Sequence, residues 1–510
     1  MVECPVKKLS KPCVGTFLQE VTLCQYDRDL PWRRASGTFH PDGQVTVVQT
    51  HASYHGRVHL ERYVPIFGKV KCGHGNSPSK VNQKLARALV YAAISLSVVT
   101  VSILEVIPLV FFAIVAIVSS VLREGRLFRL LADPAERRSG KLVGLTEYSA
   151  IATVLSATMV LGILPVAVFV GVIMLMGIGA LGAELARATR PDRLTETIGF
   201  ITLGFVAYSA GHAIGADPLL GDFAMIGFLA MAGALGGALA RSALWARHDG
   251  IVMLGLAVYI AGLALLPAPT MEMVIVAILV SIILAYLALL IGAASVPGLV
   301  TGVLLVFLTI VLGGVVWVAL LVAFFMIGGL ATKYKYLEKQ RRGVAEPNRG
   351  ARGTGNVLGN TAVALVAVLG YAALANGSYW ESIFLFAFAG SIATALSDTM
   401  SSEVGGLYDD PLLITSFNRV SPGTDGAVTV QGTLAGLSGS FVIAGLFVVL
   451  GPADIVGGVV ILFAGFVGMN VDSLLGAVLE GRWVGNHLVN ASATLSGAIV
   501  ASIYPAMGLV

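Results

Sequence analysis

The chain has 510 residues, 56% of them hydrophobic and only 12% charged, with a net charge of +4. A soluble globular protein carries about 25% charge, so a string of water-soluble domains is excluded, and so small a positive excess gives no reason to expect nucleic acid as a partner. Apolar runs of membrane-crossing length recur from Leu85 to the C-terminus. Lipid offers no partner for backbone N–H and C=O groups, so such runs must be helices.

Residues 1–83 stand apart from the rest. They hold all four cysteines (Cys4, Cys13, Cys24, Cys72), five of the eight histidines and six of the eleven lysines. His51 with His55, or Cys72 with His74, come nearest to a zinc pattern. No CxxC pair accompanies them, and the Cys4–Cys13–Cys24 spacing matches no common ligand set. No apolar stretch precedes residue 85, so nothing there reads as a signal peptide. No methionine lies between Met1 and Met159. The segment therefore reads either as a poorly structured tail or as an extension upstream of a natural start near Val81.

Fifteen apolar segments follow, near 86–104, 107–121, 147–163, 165–184, 196–214, 222–240, 250–266, 272–293, 297–313, 315–331, 357–375, 380–397, 432–450, 454–470 and 488–507. The expected fold is an all-α polytopic membrane protein of about 15 transmembrane helices. At the divisions at 105 and 313, one long tilted helix is the alternative. Residues 84–290 form an N-terminal eight-helix domain of unknown role, and 291–510 a C-terminal membrane domain. All 22 Lys and Arg residues from Lys84 onward fall in even-to-odd connections or before the first segment; the odd-to-even connections carry Glu105, Asp217, Asp222, Glu272, Glu381 and Asp454. The positive-inside rule then puts the basic connections and the N-terminus in the cytoplasm and the C-terminus outside a cell membrane. In the N-terminal half, Glu184, Arg187, Arg190, Asp192, Arg193 and Glu196 read as a solvated charged loop. The sharper alternative is a diverged partner domain acting on the same lipid, for which no internal repeat speaks.

Four polar segments on the basic side could carry chemistry. Lys333, Lys335 and Lys339 read as juxtamembrane charges facing anionic lipid. After them, Arg349 and Arg352 lie among glycines suited to close phosphate approach, and Asn356 and Asn360 enter the next helix on one face. The stretch GSIATALSDTMSSEVGG, residues 390–406, ends an apolar helix with Asp398 and Glu403. Carboxylates at membrane depth are expensive and usually functional. These two are five apart, about 140° around a continuous helix, so sharing one ligand requires the helix to break, with Gly405-Gly406 the expected place. Next, the turns around Gly423, Thr424, Asp425 and Gly426 can expose backbone N–H groups as an anion nest, with Arg419 beside them. Last, Asp472 closes a glycine-rich helix, and Asn486 and Asn490 open the following one. No Walker A pattern is present, so a P-loop is not the device.

Taken together, GxRxxxNVLxN from Gly350, ATxxSDTxSSExG ending at Gly405, RVxPGTxG from Arg419 and VDSLLGA from Val471 resemble the membrane-protein family that includes plant phytyl-phosphate kinase and vertebrate transmembrane protein 19 (domain of unknown function 92). The resemblance covers roughly residues 290–510. It implies phosphoryl transfer from a nucleoside triphosphate, CTP rather than ATP by similarity to lipid kinases, to a polyprenyl monophosphate held at the bilayer. On this reading Asp398, Glu403 and Asp472 hold Mg²⁺ and form the catalytic set. Arg349, Arg352, Asn356, Asn360, Arg419, Gly423, Thr424, Asp425, Gly426, Asn486 and Asn490 bind phosphate or nucleotide. The competing class is a transporter or flippase of a polyprenyl-phosphate lipid, which would place essential charges near the midplane.

Overall fold

The computed structural model describes residues 21–25, 33–39, 45–49, 64–65, 78–215, 222–243, 249–374, 379–450, 453–481 and 483–508. Two compact units divide at Ser77 and Pro78. In the first, β1 (Val21–Gln25), β2 (Arg33–Phe39), β3 (Val45–Gln49) and β4 (Val64–Pro65) form an antiparallel sheet in chain order. Of the zinc-pattern candidates, His51, His55, Cys72, His74, Cys4 and Cys13 lie outside the described residues.

The second unit is helical. Its N-terminal half comprises α1 (Pro78–Leu96), α2 (Val106–Val121), the short α3 (Gly125–Leu131) and α4 (Pro134–Ser139), α5 (Val143–Val160), α6 (Val166–Thr189), α7 (Arg193–Gly215), α8 (Phe223–Ala243), α9 (Asp249–Ala264) and α10 (Met271–Leu290). The C-terminal half comprises α11 (Val296–Gly313), α12 (Val315–Lys333), the short α13 (Tyr336–Arg342), α14 (Thr354–Leu374), α15 (Trp380–Gly405), α16 (Val430–Leu450), α17 (Ile455–Leu479) and α18 (Asn486–Ala506). The chain is an integral, multi-pass, all-α membrane protein.

Among the described residues 13 helices are long and apolar enough to cross a bilayer, or 14 if α2 and α3, bent by 102°, form one broken span. About fifteen were expected from the sequence. Every expected segment is helical, but α2 and α9 have 16 residues each, about 24 Å at the usual rise and short of about 30 Å of hydrocarbon. The division at 313 is real, because Gly314 takes φ +91° between α11 and α12, a conformation open chiefly to glycine.

Contacts gather the basic connections at one end of the helices. In the N-terminal half, Lys84, Arg87, Glu136, Glu184, Arg241 and Asp249 share one cavity. In the C-terminal half, Lys333 Nζ donates to the Ile291 carbonyl at 2.8 Å, and Ser295 N to the Arg352 carbonyl at 3.1 Å. At the opposite end Tyr379 Oη donates to the Ala506 carbonyl at 2.7 Å. The charged loop of the N-terminal half is only partly solvated. Arg187 is bridged by Glu184 and Glu196, all three half-buried, while Arg190 and Asp192 pair in the open.

Helix α15 organises the C-terminal half. It packs against α12, α14, α16, α17 and α18, and residues 385–397 are almost entirely buried. Before Asp398 its buried polar side chains are the hydroxyls of Ser391, Thr394 and Ser397, all hydrogen-bonded.

Candidate functional site

Helix α15 does not break between its two carboxylates. It continues to Gly405, so Asp398 and Glu403 face different neighbours. Asp398 meets Asp472 of α17, the two carboxyl groups interacting directly. Glu403 instead accepts from Lys339 Nζ of α13 at 2.5 Å. Among the described residues no three His, Cys, Asp or Glu side chains lie close enough to hold a metal ion. All three residues of the expected Asp398–Glu403–Asp472 set line one cavity, with the Glu403 carboxylate engaged by Lys339.

Lys339 is likewise not a lipid-facing charge. It is 1% exposed, and its other two N–H groups reach the carbonyls of Ala331 and Thr332, each at 2.9 Å. It thus caps the C-terminal turn of α12, where a cation is favoured. Lys333 caps α10 through the carbonyls of Ile291 and Gly292. Lys333 and Lys335 are both exposed, and Lys335 pairs with Glu338.

A cavity of about 160 Å³ is lined by Glu346, Arg352, Asn356, Asn360, Asp398, Thr399, Ser402, Glu403, Asp472, Asn486 and Asn490, among others. Nine buried side-chain polar atoms among the described residues have no hydrogen-bond partner, and four of them line this one cavity: Arg352 Nη1, Asn356 Oδ1, Asp472 Oδ1 and Asn490 Oδ1. Each such atom left bare costs about 1–3 kcal/mol. Their convergence is what a site for a polar ligand requires.

Arg352 is built in from three sides. Its N–H donates to the Ala293 carbonyl at 2.9 Å and its own carbonyl accepts from Ser295 N. The guanidinium stacks on Phe324 of α12, 5.0 Å from the ring centroid. Gly328 leaves the room for it, since a Cβ there would stand 2.7 Å from Nη2. Burial lowers the pKa of Arg352, against the raising pull of Glu403, Glu346 and Asp398. Near the α14 N-terminus, Asn360 Nδ2 donates to the Asn356 carbonyl at 2.9 Å, which leaves the Asn356 amide oxygen free for the cavity.

A second cavity of about 400 Å³ adjoins the first and shares Glu346, Asp398, Ser402, Asp472 and Asn486 with it. Its other wall is the turn Gly423, Thr424, Asp425 and Gly426. Pairing of β5 (Leu412–Leu413) with β6 (Ala427–Val428) folds this turn back over the end of α15. The turn's own bonds use the N–H groups of Thr424 and Ala427 and not those between them. Gly426 has φ +76°, and a Cβ there would collide with Ala477 and with the Ser473 carbonyl of α17, so no other residue fits.

Two expected phosphate ligands lie elsewhere. Arg419 is exposed and pairs with Asp410 at 3.5 Å, and Arg349 is exposed on the connection before α14; neither lines either cavity. Glu346 and Glu480 were not singled out in the sequence, because each sits in an ordinary-looking connection. Burial, and then Glu403, raise the pKa of Glu346 against the opposing effect of Arg352, Lys339 and His487. Burial and Asp425 raise that of Glu480, against its hydrogen bond with Asn486 and the charge of His487.

The oxygen-rich lining fits a hard divalent cation of the Mg²⁺ type. Such an ion takes one or two protein carboxylates and completes its shell from phosphate and water, and Asp398 and Asp472 supply that pair.

The family profile described as Integral membrane protein DUF92 matches residues 279–498. An uncharacterized membrane protein of Synechocystis sp. is 37% identical over 202 residues, 38% of this chain and 77% of that protein. "Protein VTE6, chloroplastic" of Arabidopsis thaliana is 34% identical over 218 residues, 42% of this chain and 66% of its own length. An uncharacterized membrane protein of Methanocaldococcus jannaschii is 35% identical over 240 residues, 45% of this chain and 95% of that protein. No solved structure matches the chain.

Proposed function

This chain belongs to the family described as Integral membrane protein DUF92, and from that membership and the cavity geometry we propose that it is a membrane-embedded kinase of a prenyl monophosphate. The observation that carries the reading is the convergence of Asp398, Asp472 and the unpaired Arg352 Nη1 on one buried cavity, beside a larger one walled by the glycine turn. Two adjoining cavities sharing a carboxylate pair suit two phosphate-bearing substrates. The four-motif resemblance to plant phytyl-phosphate kinase supports the same class, with CTP as the donor favoured over ATP.

In this mechanism the nucleotide triphosphate lies in the larger cavity, its phosphate oxygens toward the N–H groups of the Gly423–Gly426 turn. The lipid phosphate lies in the smaller one against Arg352, with Asn356 and Asn490 fixing its protonated or water-bridged oxygens. An oxygen of the lipid phosphate attacks the γ-phosphorus while the bond to the β–γ bridging oxygen breaks, giving the prenyl diphosphate and the nucleoside diphosphate. Phosphoryl transfer needs positioning and charge stabilisation more than covalent chemistry. Asp398 and Asp472 would hold Mg²⁺, which when bound supplies neutralisation of the phosphate oxygens. Arg352, stacked and planar, contributes fixed positive charge opposite that pair. The positive-inside rule puts these connections in the cytoplasm, where nucleotide is present.

The test is transfer of labelled γ-phosphate from CTP or ATP, with Mg²⁺, onto phytyl or geranylgeranyl phosphate by detergent-purified protein, beside an Asp398→Asn variant. Diphosphate formed by the wild type and lost in the variant supports the kinase. Folded protein that binds the lipid phosphate but turns over no donor would shift the assignment to transport.

A further inference from the structure

Arg352 lines not only the polar cavity but also an apolar one of about 110 Å³ between α10, α11 and α12. Ala288, Gly302, Val306, Phe325 and Gly329 are among its walls. It extends along α10 from Ile291, at the basic end, back to Ser281 near mid-helix, about 15 Å at the helical rise. That reach suits a chain of several isoprene units rather than of one. The neighbouring face of α10 is exposed to the bilayer, with Ile283 and Tyr286 both open.

Gly298 of this groove is packed against the Arg352 carbonyl, but its other two glycines differ from those of tight helix packing. At Gly182 and Gly199, a Cβ on either residue would run into the carbonyl of the other, so the missing side chain is used for backbone contact. At Gly302 and Gly329 a Cβ would meet nothing within 4 Å. There the missing side chains leave the groove open. Small-molecule sites combine such an apolar wall with a few placed polar groups, and the polar group at the head of this groove is the unpaired Arg352 guanidinium.

We infer that this groove holds the isoprenoid tail of the acceptor, its phosphate on Arg352, and that Gly302 and Gly329 set the chain length the enzyme accepts. The inference rests on the prenyl-phosphate reading above. The tail enters sideways from the bilayer along α10, so the headgroup reaches the cavity without the chain leaving lipid.

The experiment compares kcat/KM for geranylgeranyl phosphate with that for dimethylallyl phosphate in wild type, Gly302→Leu, Gly329→Leu and Gly445→Leu. The last adds the same bulk to another glycine with open space around it, on α16 away from the groove. The ratio of long to short substrate should fall about tenfold or more in each groove variant and hold in Gly445→Leu. A ratio unchanged in both groove variants, with the wild type active, overturns the groove and leaves the kinase standing; bulk lipid would then be its occupant. Photolabelling with a diazirine-tailed geranylgeranyl phosphate decides the matter if the wild type transfers no phosphate. Competable labelling of α10–α12 supports the groove without the kinase, and labelling confined to other helices overturns it.

Discussion

Lys339 and Glu403, 64 residues apart in the chain, form a buried ion pair of 2.5 Å at 1% and 7% exposure. The lysine spends its two remaining N–H groups on the last carbonyls of α12. The pair therefore ties α12, α13 and α15 together at the floor of the polar cavity, and Glu403 is held away from Asp398 and Asp472.

Breaking such a pair from one side leaves an uncompensated buried charge, which costs about 3–5 kcal/mol, whereas removing both charges costs much less. Lys339→Met and Glu403→Gln should each lower the midpoint of thermal unfolding in detergent markedly. The double variant should recover a large part of the loss. Additive losses in the double variant would mean the two residues act independently.

Gly426 gives a sharper contrast with a second glycine of similar backbone. Gly343 has φ +77° with open space where a Cβ would stand, while Gly426 combines φ +76° with backbone and side-chain atoms of α17 in that position. Gly343→Ala should cost about 1–2 kcal/mol from the left-handed conformation alone. Gly426→Ala should cost more and also displace the turn, so nucleotide-dependent transfer should fall further than in Gly343→Ala, although both residues line the larger cavity. Equal losses of stability in the two variants would show that packing on α17 does not constrain the turn.

The polar residues that end helices were the readable part of the site. Asp398 and Asp472 come near the ends of long apolar helices, Asn360, Asn486 and Asn490 near the starts of others, and the fold brings all five to one cavity. What could not be read was the direction of each side chain. Arg349, Arg352 and Arg419 look alike in composition, and only the stacking of Arg352 on Phe324 and its backbone bonds to Ala293 and Ser295 separate it from the others. A lysine just past a helix end reads as a snorkelling charge; the turn of α13 that buries Lys339 has no apolar periodicity to betray it. Of the two short helices, α2 matches the run expected at 107–121, whereas the run expected at 250–266 passes the end of α9 at Ala264.

Glu346 should make stability fall with rising pH. Its pKa is raised in the folded protein by burial and by Glu403, against Arg352, Lys339 and His487, so the native state holds this proton more tightly than the unfolded chain. The resulting stabilisation is complete below the ordinary glutamate range and is lost as pH rises through the raised value. Glu346→Gln cannot ionise. Without ligands it should match wild type near about pH 4 and exceed it in thermal stability at about pH 8. Parallel curves across that range would show that Glu346 titrates normally.

Arg352 should be the one arginine of the three that transfer cannot lose, and its shape should matter as much as its charge. A planar guanidinium can lie on Phe324 while Nη1 points into the cavity; a lysine ammonium keeps the charge but neither stacks nor spans that distance in the same way. Removing one preorganised donor of this kind costs about 10²–10³ in turnover. Arg352→Lys should therefore fall into that range with its thermal stability close to wild type, because the backbone bonds to Ala293 and Ser295 survive the change. Arg419→Ala, which removes only an exposed pair with Asp410, and Arg349→Ala should each retain activity within about threefold, as surface charges usually do. Steady-state kinetics of the three variants side by side would test this ordering. Full activity in Arg352→Lys would leave its charge as the only requirement. Loss in Arg419→Ala would mean the turn closes on the nucleotide and carries that arginine in with it.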